Sequence, residues 1–186
     1  MFALKRVFLA AATVGVAAVG VVAVAQGTSG ASHATIVARD SGITISLNKY
    51  VQDNMSFAPG TATVASGGTI TLKFDKPGSQ EPHTLTIVRK DQLPKTAAQV
   101  ENCKACQRYA TPHLKNPKAE PGQGNPIVHW ILNKGAPGLD TPGDSVAIQE
   151  PGRHKSVTVN VSAHSGTTLY FVCAVHPWMQ GKILVR

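Results

Sequence analysis

A seven-residue segment near the C-terminus, Cys173 to Met179, carries a thiol, an imidazole and a thioether, each separated from the next by two residues. One apolar run precedes the segment, residues 168–172, and another follows it, residues 182–185. Short apolar runs bounded by turn residues are typical of buried strands. The segment is therefore predicted to be a loop that joins two strands, which constrains the end of the chain to β structure.

The donor atoms of Cys173, His176 and Met179 indicate a metal site. Thiolate and thioether suit Cu(I), and imidazole suits both oxidation states of copper. A second imidazole would complete the set that holds a blue-copper ion, two His and one Cys in a plane with a weak axial Met. The best candidate is His83, which begins another strand-like run. The alternative is a structural loop in which Cys173 is a buried small hydrophobe and Met179 fills the core.

Two segments carry a resemblance to a known family. Residues 171–185 resemble the copper-binding loop of the cupredoxins, the small blue-copper proteins, and the short spacing with Pro177 after the His is most similar to amicyanin. Residues 55–74 resemble the cupredoxin run that leads to the first His ligand, and together the resemblance covers about residues 50–90 and 145–186. It implies an all-β Greek-key β-sandwich with one type 1 copper per chain, and as ligands His83, Cys173, His176 and Met179.

The chain departs from the family in two places. Many cupredoxins carry Asn after the first His, where its side chain helps to tie the two ligand loops together, and this chain has Thr84. Residues 90–144 match nothing in the family and are predicted to form a partly helical insertion between the first His ligand and the Cys-His-Met loop. Within it, Thr96 is predicted to cap a helix that runs to Tyr109, and residues 127–132 are predicted to form a short strand.

The length of 186 residues predicts one domain with appendages. Residues 1–25 combine a short basic region, an apolar run and a small-x-small end, which predicts a signal peptide; the alternative is an uncleaved N-terminal anchor. Residues 26–33 are small and polar and are predicted to be a linker. Residues 34–186 are then the cupredoxin-like domain, insertion included, and this domain is predicted to be exported to a periplasmic or extracellular location.

Alternating apolar residues predict further strands. Three apolar side chains fall on one face of residues 69–74, and three valines fall on one face of residues 156–161. Residues 43–47 show the same alternation and predict a half-buried strand.

Two cysteines remain if Cys173 binds copper. An exported protein meets an oxidising environment, so Cys103 and Cys106 are predicted to form a disulfide. A second metal site that includes His113 or His129 is an alternative, and a redox-active CxxC is another. The residue after Cys106 is not His, which excludes the covalent haem motif.

Several enzyme classes are excluded by missing motifs. The sequence has no nucleophile elbow, no phosphate-binding glycine loop and no HExxH pair. Multicopper oxidases and copper nitrite reductases need additional His ligands beside the Cys, and here Val172 and Ala174 flank it. The chain is therefore predicted to be an electron carrier and not an enzyme.

The net charge of the chain indicates which classes of partner it can bind. The net charge is +8, and it is +6 without the leader, which carries Lys5 and Arg6 and no acidic residue. Basic-aromatic patterning is absent, so nucleic acid is not an expected partner. An acidic redox protein or an anionic membrane surface is expected, unless the charge serves only solubility. A monomer is expected.

The loop itself is the expected contact surface for a redox partner. His176 is expected to turn one ring edge towards solvent, with Trp178 beside it as an exposed anchor for docking. The alternative is that Trp178 packs inward and supports the loop. Two other functions stay open at this point: a copper-binding or copper-delivery protein of the cell envelope, and a module whose insertion binds a protein partner.

Overall fold

The computed structural model describes residues 30–76, 81–119, 125–149 and 154–186. In these ranges the chain forms strands that are numbered in chain order: β1 (His33–Arg39), β2 (Ile43–Ser46), β3 (Tyr50–Asp53), β4 (Ser56–Ala58), β5 (Thr61–Val64), β6 (Thr69–Phe74), β7 (His83–Val88), β8 (Ile131–Leu132), β9 (Ser145–Ile148), β10 (Ser156–Asn160), β11 (Thr168–Val172) and β12 (Gln180–Val185). The helices are α1 (Ala97–Glu101) and α2 (Lys104–Ala110), with short 3₁₀ turns at Lys90–Gln92 and Thr111–His113.

Two sheets face each other. One has the order β10-β6-β1-β4 and the other the order β5-β12-β11-β7-β9-β8. The pairs β1–β6 and β5–β12 are parallel and the remaining pairs of these sheets are antiparallel. Consecutive strands pass from one sheet to the other at β4–β5, β5–β6, β6–β7, β9–β10 and β10–β11. This is a β-sandwich, and the predicted all-β fold with a helical insertion is confirmed.

One apolar core fills the space between the sheets. The alternating residues of β6 predicted to share a face, Ile70, Leu72 and Phe74, all lie in it. Val157 and Val159 of β10 reach it from the neighbouring strand, and Phe171 of β11 packs edge-on against Phe57 from the opposite sheet. Burial of such side chains contributes about 1.5–3 kcal/mol each to the stability of the fold.

The insertion covers the outer face of the second sheet. Residues of α2 and the strand ends of β7 and β11 form a second apolar cluster, which includes Cys106, Tyr109, Val88 and Val172. All six residues of β7 are consequently buried, because the core covers one face of the strand and the insertion covers the other. The insertion therefore lies directly behind the strand that carries His83.

The predicted single helix of the insertion is two helices. Thr96 caps α1 as predicted, since its side chain accepts a hydrogen bond from the Gln99 N–H. The helix ends at Glu101, and Cys103 caps α2, where its sulfur accepts a hydrogen bond from the Cys106 N–H. The predicted strand at residues 127–132 is reduced to β8 and an isolated bridge at Ile127.

The strand predicted at residues 43–47 is present as β2, but the prediction that it is half-buried is wrong. β2 pairs only with β3, and this hairpin stands apart from both sheets. Ile43, Ile45 and Leu47 are exposed by 65% or more of their surface. The alternation is real, but no layer of the sandwich covers either face of the hairpin.

Among the residues that the structure describes, no helix has the length and apolar character to cross a membrane. The leader predicted at residues 1–25 lies outside the described residues, as does the first half of the predicted linker, residues 26–29. The first strand begins at His33, the last residue of that linker.

Candidate metal centre

Neighbouring strands bring the predicted ligands together. His83 is the first residue of β7, and Cys173 directly follows the last residue of β11. β7 and β11 are antiparallel, with Val172 opposite Thr86, so the start of one strand lies at the same end of the sheet as the finish of the other. Residues 90 positions apart in the sequence are therefore in contact at this end.

Backbone hydrogen bonds close the loop from Cys173 to Met179. The Cys173 N–H donates to the Met179 carbonyl at 2.9 Å, and the Met179 N–H donates to the His176 carbonyl at 2.9 Å. The Gln180 side chain donates to the Pro177 carbonyl at 2.9 Å and to the Pro94 carbonyl at 2.8 Å. The loop is thus held in one shape by its own backbone and by a contact with the insertion.

Three donor atoms form a small triangle. The Nδ1 atoms of His83 and His176 are 3.2 Å apart, and the Cys173 Sγ lies 3.9 Å from the first and 3.7 Å from the second. A point equidistant from the three atoms is about 2.1 Å from each, close to the bond lengths of imidazole nitrogen and thiolate sulfur to first-row metals. The relative exposure of His83, Cys173 and His176 is 0%, 0% and 5%.

The donor set fits copper. Two imidazoles and one thiolate in a plane are the equatorial set of a blue-copper site, and a thioether is its axial donor. Met179 is 1% exposed and belongs to the same apolar cluster as Cys173, at the end of the same loop. These four residues form a blue-copper-like site that points to one copper ion per chain.

Cys173 is prepared to bind metal as a thiolate. Burial by itself favours the neutral thiol, but hydrogen bonds and charges of His176 and His83 outweigh it and lower the pKa of Cys173 to about 5. The backbone N–H groups of Thr84 and His176 also point to its sulfur, each at 3.4 Å. The thiolate is the form that metals bind.

His176 differs from the prediction that one ring edge faces solvent. Its Nε2 lies 3.0 Å from a carboxylate oxygen of Glu81, and the residue is buried. A carboxylate can only accept, so Nε2 carries the proton and Nδ1 keeps its lone pair for a metal. Burial opposes protonation of this ring, but Cys173 and Glu81 outweigh that effect and raise the pKa of His176.

Thr84, the residue after His83, ties the two ligand segments together. Its side-chain oxygen accepts a hydrogen bond from the Ala174 N–H at 2.7 Å, which ties β7 to the loop immediately after Cys173. Sequence reasoning recognised the substitution but not this bond, and it missed Glu81 altogether. The position of Glu81, two residues before a candidate ligand in a turn, was the only available signal.

Trp178 is 40% exposed, so the prediction of an exposed aromatic side chain in the loop is confirmed. Its ring packs edge-on against the His176 ring, with 5.2 Å between the ring centroids. Part of the tryptophan ring therefore contacts a predicted ligand, while another part is exposed to solvent.

The insertion holds a disulfide and no second metal cluster in the described ranges. Cys103 and Cys106 are bonded to each other, as predicted. His113 is buried and hydrogen-bonded to Ser145, and the side chain of His129 is exposed. The group His83, Cys173 and His176 is the only cluster of three potential ligands among His, Cys, Asp and Glu that the described residues contain.

Comparisons with known proteins give structural similarity alone. No protein-family model matches the chain, and no curated protein sequence does. Among solved structures, the reduced auracyanin of Roseiflexus castenholzii is 20% identical, with a TM-score of 0.42 over 84% of this chain and 98% of that one. Auracyanin A, a "blue" copper protein of Chloroflexus aurantiacus, is 19% identical, with a TM-score of 0.41 over 83% and 99% of the two chains. A point mutant of amicyanin in its reduced Cu(I) form is 14% identical, with a TM-score of 0.32 over 82% of each chain.

Proposed function

We propose that this chain is a blue-copper electron carrier whose metal ligands are His83, Cys173, His176 and Met179. The observation that carries the proposal is the triangle of two imidazole nitrogens and one thiolate sulfur, buried and closed by the loop that also contains Met179. Copper bound there would supply a one-electron couple between Cu(II) and Cu(I).

The surroundings of the donor atoms suit electron transfer. The backbone hydrogen bonds of the loop and the Thr84 contact hold the sulfur and the His176 ring in place. A site of fixed shape that suits both oxidation states exchanges an electron with little rearrangement. The donors are buried, so a substrate molecule cannot reach a bound ion directly, and this supports a carrier and not an enzyme.

The same burial argues against copper delivery. A delivery protein must pass its ion to another protein, which requires ligands that a partner can approach. Here His83 and Cys173 are completely buried, and Glu81 covers the remaining ring nitrogen of His176. An electron, unlike an ion, can leave such a site through the His176 ring and its contact with Trp178.

We place partner docking on the surface around Trp178. A groove of about 430 Å³ adjoins it, lined by Val175 and Pro177 of the loop and by residues of the insertion such as Cys106 and Pro117. The partner is a redox protein, and the positive net charge favours an acidic one or an anionic membrane surface. Nucleic acid is not a partner in this proposal, and the carrier acts as a monomer.

The proposal includes export. Residues 1–25 serve as signal peptide or anchor, and the linker that follows ends before His33, which already belongs to β1 of the functional domain in the periplasm or outside the cell. The disulfide of the insertion supports an oxidising location.

Redox cycling in the presence of a competing chelator tests the function. The copper-loaded protein is reduced and reoxidised with small inorganic reagents while a Cu(I) chelator is present. An electron carrier takes up one electron per copper, retains the ion and recovers its visible spectrum over many cycles. Release of copper to the chelator on each reduction would instead identify a delivery protein.

A further inference from the structure

A row of buried polar side chains links the insertion to the metal-binding loop. The hydroxyl oxygens of Thr84 and Thr86 are 2.9 Å apart, those of Thr86 and Ser145 are 2.7 Å apart, and the Ser145 hydroxyl lies 2.7 Å from Nε2 of His113. All four residues are at most 1% exposed. They lie on the outer face of the second sheet, beneath the insertion.

With a neutral His113 ring, the row has only one possible direction. Nδ1 of His113 is bonded to the backbone carbonyl of His129, and a carbonyl can only accept. Nδ1 therefore carries the proton of the neutral ring, and Nε2 must accept from Ser145. A hydroxyl has one proton, so Ser145 accepts from Thr86, and Thr86 accepts from Thr84.

The opposite end of the row lies at the candidate ligand Cys173. The proton of Thr84 is committed to Thr86, so its oxygen presents lone pairs to the Ala174 N–H at 2.7 Å. The backbone N–H of the same Thr84 points to the Cys173 sulfur at 3.4 Å. Each member of the row thus fixes the orientation of the next, from His113 to the residue after Cys173.

The protonation state of His113 agrees with this direction. Burial lowers the pKa of His113 to about 4, although the hydrogen bond to His129 opposes the change. This direction requires a neutral ring, because an imidazolium would donate from Nε2 to Ser145 and reverse the row, and the Thr84 hydroxyl would then have no acceptor within the row.

We propose that His113 is a positioning residue for the metal-binding loop: its Nδ1–H tautomer, held by the His129 carbonyl, directs a relay through Ser145, Thr86 and Thr84 that holds the Ala174 N–H. This relay is the row of buried side chains described above. Through it, the insertion determines the hydrogen bonding beside Cys173 from the outer face of the sheet. Its relevance to electron transfer rests on the proposed function, but its existence does not.

Nitrogen NMR of the full chain tests the direction of the relay. In the metal-free protein and in the diamagnetic Cu(I) form, we expect the His113 ring to be neutral, with the proton on Nδ1. A proton on Nε2, or an imidazolium at neutral pH, would reverse or break the relay and overturn the proposal.

Amide hydrogen exchange tests whether the relay affects the hydrogen bond of the Ala174 N–H. Protection of the Ala174 N–H is measured relative to the Ile70 N–H, which lies in the other sheet and reports global opening. Thr84→Val removes the acceptor and should reduce this relative protection about tenfold, and His113→Phe should reduce it about threefold through the relay. His129→Ala is the matched control, because it keeps the carbonyl and should leave protection unchanged.

Ser145→Ala replaces His113→Phe if the latter does not fold, since it cuts the relay one bond nearer to the loop. Unchanged relative protection of Ala174 in Ser145→Ala or His113→Phe would overturn the proposal.

In the copper-loaded protein, Thr84→Val and His113→Phe should both shift the reduction potential in the same direction, with the smaller shift for His113→Phe. If the protein binds no copper but shows the tautomer and exchange pattern, the relay stands and the electron-carrier proposal fails. If the protein is blue but the proton of the His113 ring is on Nε2, the relay proposal fails and the electron-carrier proposal stands.

Discussion

Two regions of this protein carry cysteines in short motifs, and they are built in different ways. In the metal-binding loop, Cys173 remains a free thiol, buried between two imidazoles. In the insertion, Cys103 and Cys106 are bonded to each other at the start of α2. The first motif obtains an essential partner, His83, from a strand 90 residues away, whereas the second is complete within its own turn.

The comparison shows that the surroundings decide the chemistry of a cysteine here. A local pair in an oxidising environment closes on itself and stabilises its own turn. A cysteine between two histidines has its pKa lowered to about 5 and presents a thiolate. The insertion should therefore affect the metal centre through packing and the buried relay and not through its own sulfur atoms.

Cys173→Ser should produce the largest effect on copper binding. It distinguishes the cysteine of the metal-binding loop from those of the insertion. A hydroxyl cannot supply the soft, covalent ligand that gives blue copper its colour, so the intense visible absorption should be abolished. The matched control is the double variant Cys103→Ala with Cys106→Ala, which should keep the band. Absorption spectroscopy of both proteins after addition of copper decides the matter, and a blue Cys173→Ser protein would refute the ligand assignment.

Acid should weaken the insertion side of the molecule through His113. The pKa of His113 is about 4 in the folded protein against 6.5 for an unperturbed ring, so the unfolded chain takes up this proton first as the pH falls. The contribution is present above about pH 6.5 and is lost as the pH falls towards 4, by about 3 kcal/mol in total. Denaturant unfolding of the wild type and of His113→Phe between pH 7 and pH 4 measures it.

The difference between the two proteins is the decisive quantity, because other titrating groups are common to both. We expect the wild type to lose more stability than His113→Phe over this range. Parallel pH profiles would show that His113 is not kept neutral by burial.

Removal of the disulfide should have a smaller effect, confined to stability. The loop it closes is short, so the chain-entropy model gives about 2 kcal/mol for the double variant Cys103→Ala with Cys106→Ala. Denaturant unfolding measures this loss, and the copper spectrum of the folded variant should remain that of the wild type. A changed spectrum would mean that the disulfide positions the metal-binding loop. It would contradict the expectation that the sulfur atoms of the insertion do not affect the metal centre.

Trp178→Ala should have the smallest effect and tests the surface of the loop. If the tryptophan is a docking anchor, electron exchange with the physiological partner should slow about fivefold, the change that about 1 kcal/mol of binding free energy produces. The visible spectrum should be nearly unchanged, because Trp178 offers no ligand atom. Stopped-flow kinetics measure the rate, and an unchanged rate that is also indifferent to salt would place docking elsewhere.

The sequence was sufficient where periodicity or ligand chemistry determines the answer. The alternation in β6 and β10 predicted their buried faces, and the spacing of Cys173, His176 and Met179 together with His83 predicted which residues meet. Both inferences rest on contacts that strand pairing alone implies.

The sequence was insufficient where the identity of a neighbour matters. Residues 43–47 alternate like β6, but no sheet covers them, and a pattern cannot show what lies opposite. Glu81 buries the edge of His176, and Thr84 reaches the loop after Cys173, through contacts between segments about 90 residues apart. The relay from His113 passes through several separate strands and turns and has no signature in any one of them.

Titration of the metal-free full chain with Cu(II), followed by visible absorption, tests the proposed metal centre most directly. We expect an intense blue charge-transfer band that saturates at one copper per chain. His83→Ala should fail to form this band, whereas His33→Ala, whose exposed ring is hydrogen-bonded to Thr69 in the other sheet, should form it normally. Copper that binds without an intense visible band, or a band that survives in His83→Ala, would contradict the proposed metal centre.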